Sequence, residues 1–272
     1  MKVYLIAGES SGDYLGSELM SGLRKLYSDI RFYGVGGPLM EGKGLSSLFP
    51  MNELSLMGLF EVIPKLHSLI KRKNEVINNV ISIKPDILIT IDSPDFTLRV
   101  AKEVKRKTNI KIIHYVAPTI WAWRKGRARR MKKYIDHVLA LFPFEPKILE
   151  KSGLKSHFVG HPITSSSIAT SNEISIFRDK YKVNNKRLLL VLPGSRHNEV
   201  KKLIGTFEKS LMLVNNKFPN HEVIIPITKN VEEFVRNATS GWTKKPIIIS
   251  SSNESEKRAA FYEAEVALAA SG

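Results

Sequence analysis

The side chains best suited by type and spacing to do chemistry lie in short runs that follow β-branched apolar stretches. The sharpest is Ile91-Asp92-Ser93-Pro94-Asp95-Phe96. Ser93 suits a helix N-cap, Pro94 the first helical position, and Asp95 the positive end of a helix dipole. Local structure thus accounts for Asp95 and leaves Asp92 over. A carboxylate at the end of a buried strand, just before a cap, is suited to taking a proton from a substrate hydroxyl.

A second run is Gly8-Glu9-Ser10-Ser11-Gly12-Asp13. Ser10 and Asp13 have the spacing of a capping box, and Gly8 and Gly12 allow tight backbone passage. Glu9 belongs to neither device, and reads either as a solvated loop side chain or as a second carboxylate in a cleft. Gly34-Val35-Gly36-Gly37-Pro38 is faintly like a dinucleotide fingerprint. It follows the second strand rather than the first, so we read it as a tight loop near a ligand.

His114-Tyr115-Val116-Ala117-Pro118 runs on to Trp121-Ala122-Trp123-Arg124, with Arg127, Arg129 and Arg130 close behind. These aromatic and cationic side chains suit a phosphorylated or amphipathic ligand. The same mixture occurs in single-stranded nucleic-acid binders, but there the aromatics lie on an open sheet face rather than in a sheet-to-helix loop. A lone imidazole at His114 has no second ligand at metal-site spacing. Further on, Leu192-Pro193-Gly194-Ser195-Arg196 ends a strand ahead of a helix expected to begin by Glu199. Helix N-terminal N–H groups together with an arginine make a diphosphate site, and no lysine follows in the P-loop pattern.

These runs need elements to position them. Val3–Ala7, Ile30–Val35, Ile87–Ile91, Lys111–Val116 and His137–Leu141 read as strands, separated by helices at Tyr14–Tyr27, Leu66–Ile83, Thr97–Lys107 and Lys125–Ile135. The strands are continuous apolar runs, the pattern of a parallel sheet covered on both faces. A second series runs from Arg187–Leu192 to Val266–Ala270, and the Ser/Thr-rich Thr164–Asn172 marks the boundary. The expectation is α/β, with two Rossmann-like doubly wound domains over residues 1–163 and 164–272 and a cleft between them. Ligands then lie beyond the carboxyl ends of the strands.

The bulk composition agrees. The chain has 272 residues, 43% hydrophobic, with no cysteine and so no disulfide or thiolate zinc site. No stretch approaches the roughly 20 apolar residues that span a bilayer, and no signal peptide is expected at the start. A cytoplasmic setting fits. The net charge is +16, and from Arg99 to Lys133 thirteen basic residues face one acid, Glu103. Such a field attracts nucleic acid, anionic lipid or phosphorylated substrates; a solvated basic face is the plain alternative. Leu59, Val62, Ile63, Leu66 and Ile70 fall at helical spacing, with Met57 and Phe60 nearby and Lys65, Lys71, Arg72 and Lys73 flanking. That stripe is either a core face or, with Pro64 interrupting the helix, an amphipathic segment lying in a membrane interface.

Taken together and in order, the Gly8–Asp13, Ile91–Phe96, His114–Arg124 and Leu192–Arg196 motifs resemble those of the lipid-A-disaccharide synthases, from Met1 to Gly272. The resemblance implies the GT-B fold and a peripheral enzyme on the cytoplasmic side of the inner membrane, with a homodimer left open. It implies transfer of a diacylglucosamine unit from UDP-2,3-diacylglucosamine to 2,3-diacylglucosamine 1-phosphate, without cofactor or metal and without nucleic acid. Asp92 and Glu9 match the family's catalytic acids. Ser10, Ser11, Gly12, Trp121, Arg124, Gly194, Ser195, Arg196, Pro226, Ser271 and Gly272 match substrate-binding positions. Family members continue beyond Ser271-Gly272, so an incomplete second domain is expected, and with it loss of activity. Competing readings are another UDP-sugar enzyme, such as an epimerase or the peptidoglycan-precursor transferase, and an inactive remnant that binds anionic membrane.

Overall fold

The run after Met1 forms β1 (Lys2–Ala7), buried at every residue from Val3 onward. Burial on both faces demands parallel neighbours covered by helices. β1 pairs in parallel with β2 (Arg31–Val35) on one side and with β4 (Ile87–Ile91) on the other. The computed structural model describes residues 1–54, 59–118 and 126–270, and only the backbone over 59–66. Its chain folds as two compact units, Met1–Ser165 and Ser166–Gly272.

In the first unit the sheet order is β3-β2-β1-β4-β5-β6-β7, with β3 at Ser46–Ser47, β5 at Lys111–Tyr115, β6 at His137–Ala140 and β7 at Ser156–Phe158. The helices are α1 (Ser10–Leu26), α2 (Pro38–Glu41), α3 (Leu59–Ile83), α4 (Pro94–Lys107), α5 (Gly126–Met131) and α6 (Glu145–Glu150). Alternate strand residues point to opposite faces. Tyr4, Ile6, Leu88 and Ile112 pack with Val76 and Val80 of α3 and Val100 and Val104 of α4. Val3, Leu5, Ile89 and Ile91 pack with Leu15 and Met20 of α1.

The chain moves outward from β1 to β2 and β3, then returns to start β4 on the other side of β1. The gap between β1 and β4 is therefore the topological switch point, where open α/β sheets leave a crevice at the strands' carboxyl ends.

The second unit repeats this logic, with α7 (Ser171–Tyr181), β8 (Arg187–Leu192), α8 (His197–Lys217), β9 (His221–Pro226), α9 (Glu232–Thr239), β10 (Ile247–Ile249), α10 (Glu254–Glu263) and β11 (Val266–Ala269). Its parallel sheet has the order β10-β9-β8-β11, so its switch point lies between β8 and β11.

Two local expectations are corrected. Pro64 does not interrupt a helix, because α3 runs unbroken from Leu59 to Ile83. A proline removes one N–H and crowds the carbonyl four residues back, but here both losses fall near the start of a long helix. Val76, Ile77 and Val80 anchor its remainder in the core. The Ser/Thr-rich boundary segment also contains a helix start. Thr170 and Glu173 form a reciprocal capping box opening α7, a Thr-x-x-Glu signal that begins inside the stretch read as a boundary and ends just past it.

Candidate active site

The loops after β1 and β4 meet at the first switch point. Glu9 is the extended N-cap residue of α1, with no cap hydrogen bond from its side chain. The expected capping box of Ser10 and Asp13 does not form. Ser10 is exposed in the first turn, and Asp13, only 3% exposed, turns to another helix. Its Oδ1 accepts from the N–H of Gly37 at 2.9 Å and of Met40 at 3.0 Å, and its Oδ2 accepts from the N–H of Leu39 at 3.0 Å. Asp13 thus caps α2, satisfying donors the short helix leaves orphaned. This also revises the Gly34–Pro38 loop. A Cβ on Gly37 would lie 2.5 Å from Asp13 Oδ2, so the glycine makes room for a side chain of the same protein.

The backbone after β4 is strained. Asp92 and Ser93 have φ of 48° and 43°, and Val116, at the end of the adjacent β5, has φ of 80°. Left-handed backbone is unusual outside glycine and most costly for a β-branched residue, about 1–3 kcal/mol each. Hydrogen bonds hold it: the Asp92 N–H donates to Tyr115 O at 3.0 Å and the Val116 N–H to Leu139 O at 3.0 Å. Thr97 Oγ1 donates to the carbonyls of Asp92 at 2.8 Å and Ser93 at 3.1 Å. Ser93 occupies the N-cap position of α4, as expected, but its hydroxyl makes no cap bond. Its Oγ is buried, without a partner among the described residues.

This turn presents the half-buried Asp92 beside the first turn of α1, where the Ser11 hydroxyl donates to Asp92 Oδ2 at 3.1 Å. Gly12 lets α1 approach, since a Cβ there would stand 3.3 Å from Ala7 Cβ and 3.5 Å from Ile91 O. Glu9, Ser10, Ser11, Gly12 and Asp92 therefore belong to one cluster of loops.

Asp95 is mostly exposed and pairs with Arg127 at 2.7 Å. Arg127, expected among the ligand-gripping arginines, has this intramolecular carboxylate as a partner. His114 is fully buried in β5, with Nδ1 2.8 Å from Thr90 Oγ1. Burial first, and then the nearby Arg127 charge, pushes its pKa down to about 3, so the ring is neutral. Trp121 and Arg124 lie outside the described residues.

At the second switch point Gly194 has φ of +117°, and a Cβ there would meet Glu199 Oε2 at 2.5 Å. Ser195 is half-buried, and Arg196 is the N-cap residue of α8, its guanidinium 3.8 Å from Glu199. The helix starts at His197, two residues before the expected point. The His197 ring packs against Phe234 with centroids 4.4 Å apart, a wall no sequence signal announced. The Ala270 N–H donates to Leu192 O at 2.9 Å, which brings the end of β11 beside this loop. Pro226 ends β9, half-buried; Ser271 and Gly272 lie outside the described residues.

Two doubly wound parallel sheets, one with a strained carboxylate turn at its switch point and the other with Arg196 at the N-cap position of a helix, define an α/β protein of the GT-B class. The model of the lipid-A-disaccharide synthetase family matches residues 3–272. The lipid-A-disaccharide synthase of Ruegeria pomeroyi is 47% identical, aligned with 100% of this chain and 69% of its own length. That of Rhodospirillum centenum is 43% identical over 99% of this chain and 67% of its own. The chain belongs to the lipid-A-disaccharide synthetase family, and is a glycosyltransferase of that type. Among solved structures, the UDP-GlcNAc 2-epimerase of Neisseria meningitidis bound to UDP-GlcNAc matches with a TM-score of 0.66 at 13% identity, covering 100% of this chain and 78% of that one. A putative UDP-N-acetylglucosamine 2-epimerase from Listeria monocytogenes gives 0.68 at 13% identity, covering 100% and 74%. These likenesses show the fold.

Proposed function

We propose that the chain, continued through the remainder of the second domain that the family resemblance implies, joins UDP-2,3-diacylglucosamine to 2,3-diacylglucosamine 1-phosphate by direct displacement, giving a β-1,6-linked disaccharide 1-phosphate and UDP. The observation that carries this reading is Asp92, a carboxylate on a strained left-handed turn at the switch point of the first sheet. The acceptor's 6-hydroxyl holds its proton too tightly at neutral pH to attack unaided. Asp92 takes that proton as the oxygen bonds to the anomeric carbon. A single displacement of an α-linked UDP yields the β product, with no covalent enzyme intermediate. Negative charge grows on the leaving diphosphate, where Arg196 and the first N–H groups of α8 stabilise it without need of a metal. Glu9 orients the acceptor hydroxyl.

The substrates carry acyl chains, so the reading places the enzyme on the anionic cytoplasmic face of the inner membrane. No helix among the described residues is long and apolar enough to cross a membrane. Arg99, Lys102, Arg129, Arg130, Lys132 and Lys133 are all exposed, a positive surface suited to anionic headgroups.

The test is to supply both lipid substrates and measure UDP release together with the anomeric configuration of the product by NMR. One UDP per β-linked disaccharide supports the reading. An α-linked product, or UDP released without disaccharide, overturns it.

A further inference from the structure

The geometry points to Ser11 as the positioning residue for the Asp92 carboxylate, setting which oxygen is left for the substrate. This deepens the reading of Asp92 as base and rests on it. A carboxylate's terminal torsion is broad, so a backbone that places Asp92 Cβ does not fix the plane of its two oxygens. The strained turn fixes the first and leaves the second free. Ser11 supplies the missing constraint: its Oγ, in the first turn of α1, donates to Asp92 Oδ2 at 3.1 Å across 81 residues of sequence. Oδ1 is then the oxygen that can receive a proton.

Three features of the fold serve this contact. α1 opens without a side-chain cap, so the Ser11 hydroxyl has no duty at its own helix end. Gly12, next to Ser11, allows α1 to lie close against Ala7 and the Ile91 carbonyl. Asp13, the next residue again, accepts three N–H bonds from the start of α2, which ties the first turn of α1 to that helix. Ser11 is exposed, while Asp92 is half-buried, so the pair sits at the rim of the crevice where an acceptor hydroxyl arrives.

A substrate-binding role for Ser11 makes a different prediction from a positioning role. A serine that binds sugar raises the acceptor KM when lost, whereas a serine that aims the base lowers kcat. The experiment compares wild type, Ser11→Ala, Ser11→Thr, Asp92→Asn, Asp92→Ala and the Ser11→Ala/Asp92→Ala double variant, all in the full chain. Turnover and urea unfolding are measured for each. Ser11→Ala should lower kcat by roughly tenfold, the worth of a hydrogen bond to a charged group, with acceptor KM within about twofold. Ser11→Thr, which keeps the hydroxyl, should restore most of kcat. In the Asp92→Ala background, adding Ser11→Ala should change kcat by less than about twofold, because the partner is already gone. Urea midpoints should show the same coupling, the double variant losing less than the two single losses together, and this holds whatever the turnover.

A raised acceptor KM at unchanged kcat, or additive changes in both measurements, overturns the positioning role. Full turnover in Asp92→Asn overturns the base assignment instead, so the two failures are distinguishable.

Discussion

Gly8 and Ser93 approach so closely that a Cβ on Gly8 would lie 2.8 Å from Ser93 Oγ and 3.0 Å from Ser93 Cβ. The loop after β1 is therefore pressed against the strained turn after β4, and any side chain at position 8 must push that turn away. Gly8→Ala should destabilise the first unit by about 1–3 kcal/mol, as overpacking does. It should also lower turnover, since Asp92 precedes the displaced residue. Ser93→Gly removes the clashing atoms and relieves a left-handed φ, so the Gly8→Ala/Ser93→Gly double variant should recover part of both losses. Urea unfolding of the four chains checks the stability, and equal stability of Gly8→Ala and wild type would show that the turn yields freely.

Asp13 is a structural carboxylate in the first turn of α1, two residues after Ser11. Asp13→Ala leaves the backbone N–H donors of Gly37 and Met40 unpaired in the interior, and that of Leu39 unpaired in a part-buried position. The expected cost is roughly 2–4 kcal/mol in urea unfolding. A loss below the experimental scatter would mean that α2 is capped some other way.

Asp92 and Asp95 should separate cleanly. Asp92→Asn keeps the shape and removes the base, cutting turnover by roughly 10²–10⁴-fold with UDP affinity nearly unchanged. Asp95→Asn loses an ion pair to Arg127 whose carboxylate side is 77% exposed. Such a pair is worth about 0–1 kcal/mol, and turnover should stay near wild type. Steady-state kinetics of the two variants decides, and the reverse pattern would exchange their roles.

Arg196→Ala should weaken UDP binding by roughly 1.5–3 kcal/mol, the value of a charge-assisted partner to the diphosphate. Calorimetry with UDP measures this directly. Unchanged affinity would remove Arg196 from the donor site.

His114 gives a pH signature. Its pKa is about 3 when folded, against the ordinary 6.5. The unfolded chain binds this proton more readily, so the contribution to stability is complete above the unfolded value and is lost as pH falls through the folded one. Between these limits the group adds a slope of about 1.4 kcal/mol per pH unit, with stability falling as pH falls. His114→Leu should flatten the pH dependence of urea unfolding by up to that amount. An unaltered slope would mean that water reaches the ring.

The placement of this candidate site is legible along the chain, because strand ends have local causes, whereas the side-chain caps expected of Ser10, Asp13 and Ser93 do not form. Asp92 stands out in sequence because capping and the helix dipole account for Asp95 and leave Asp92 unexplained. The parallel sheet is legible in strands that are apolar at every position. The Thr170…Glu173 box was equally local, and a compositional reading of its Ser/Thr-rich neighbours hid it.

What the sequence by itself determined is therefore where the candidate loops lie: Gly8–Asp13 and Ile91–Phe96 in one half, Leu192–Arg196 in the other, each following an apolar strand. Only the tertiary structure decided what each side chain in those loops does. Asp13 has capping-box spacing to Ser10, yet its oxygens serve Gly37, Leu39 and Met40, more than twenty residues away. Ser11 meets Asp92 across 81 residues because α1 starts beside the end of β4. Ser93 and Val116 carry no sequence mark of a left-handed backbone, which local propensity disfavours at both. Those conformations persist because strand register, the Thr97 hydroxyl and the close pass of Gly8 impose them from outside the segment. Contacts between distant residues depend on where the sheet order places the strands, and that order is a property of the packed chain.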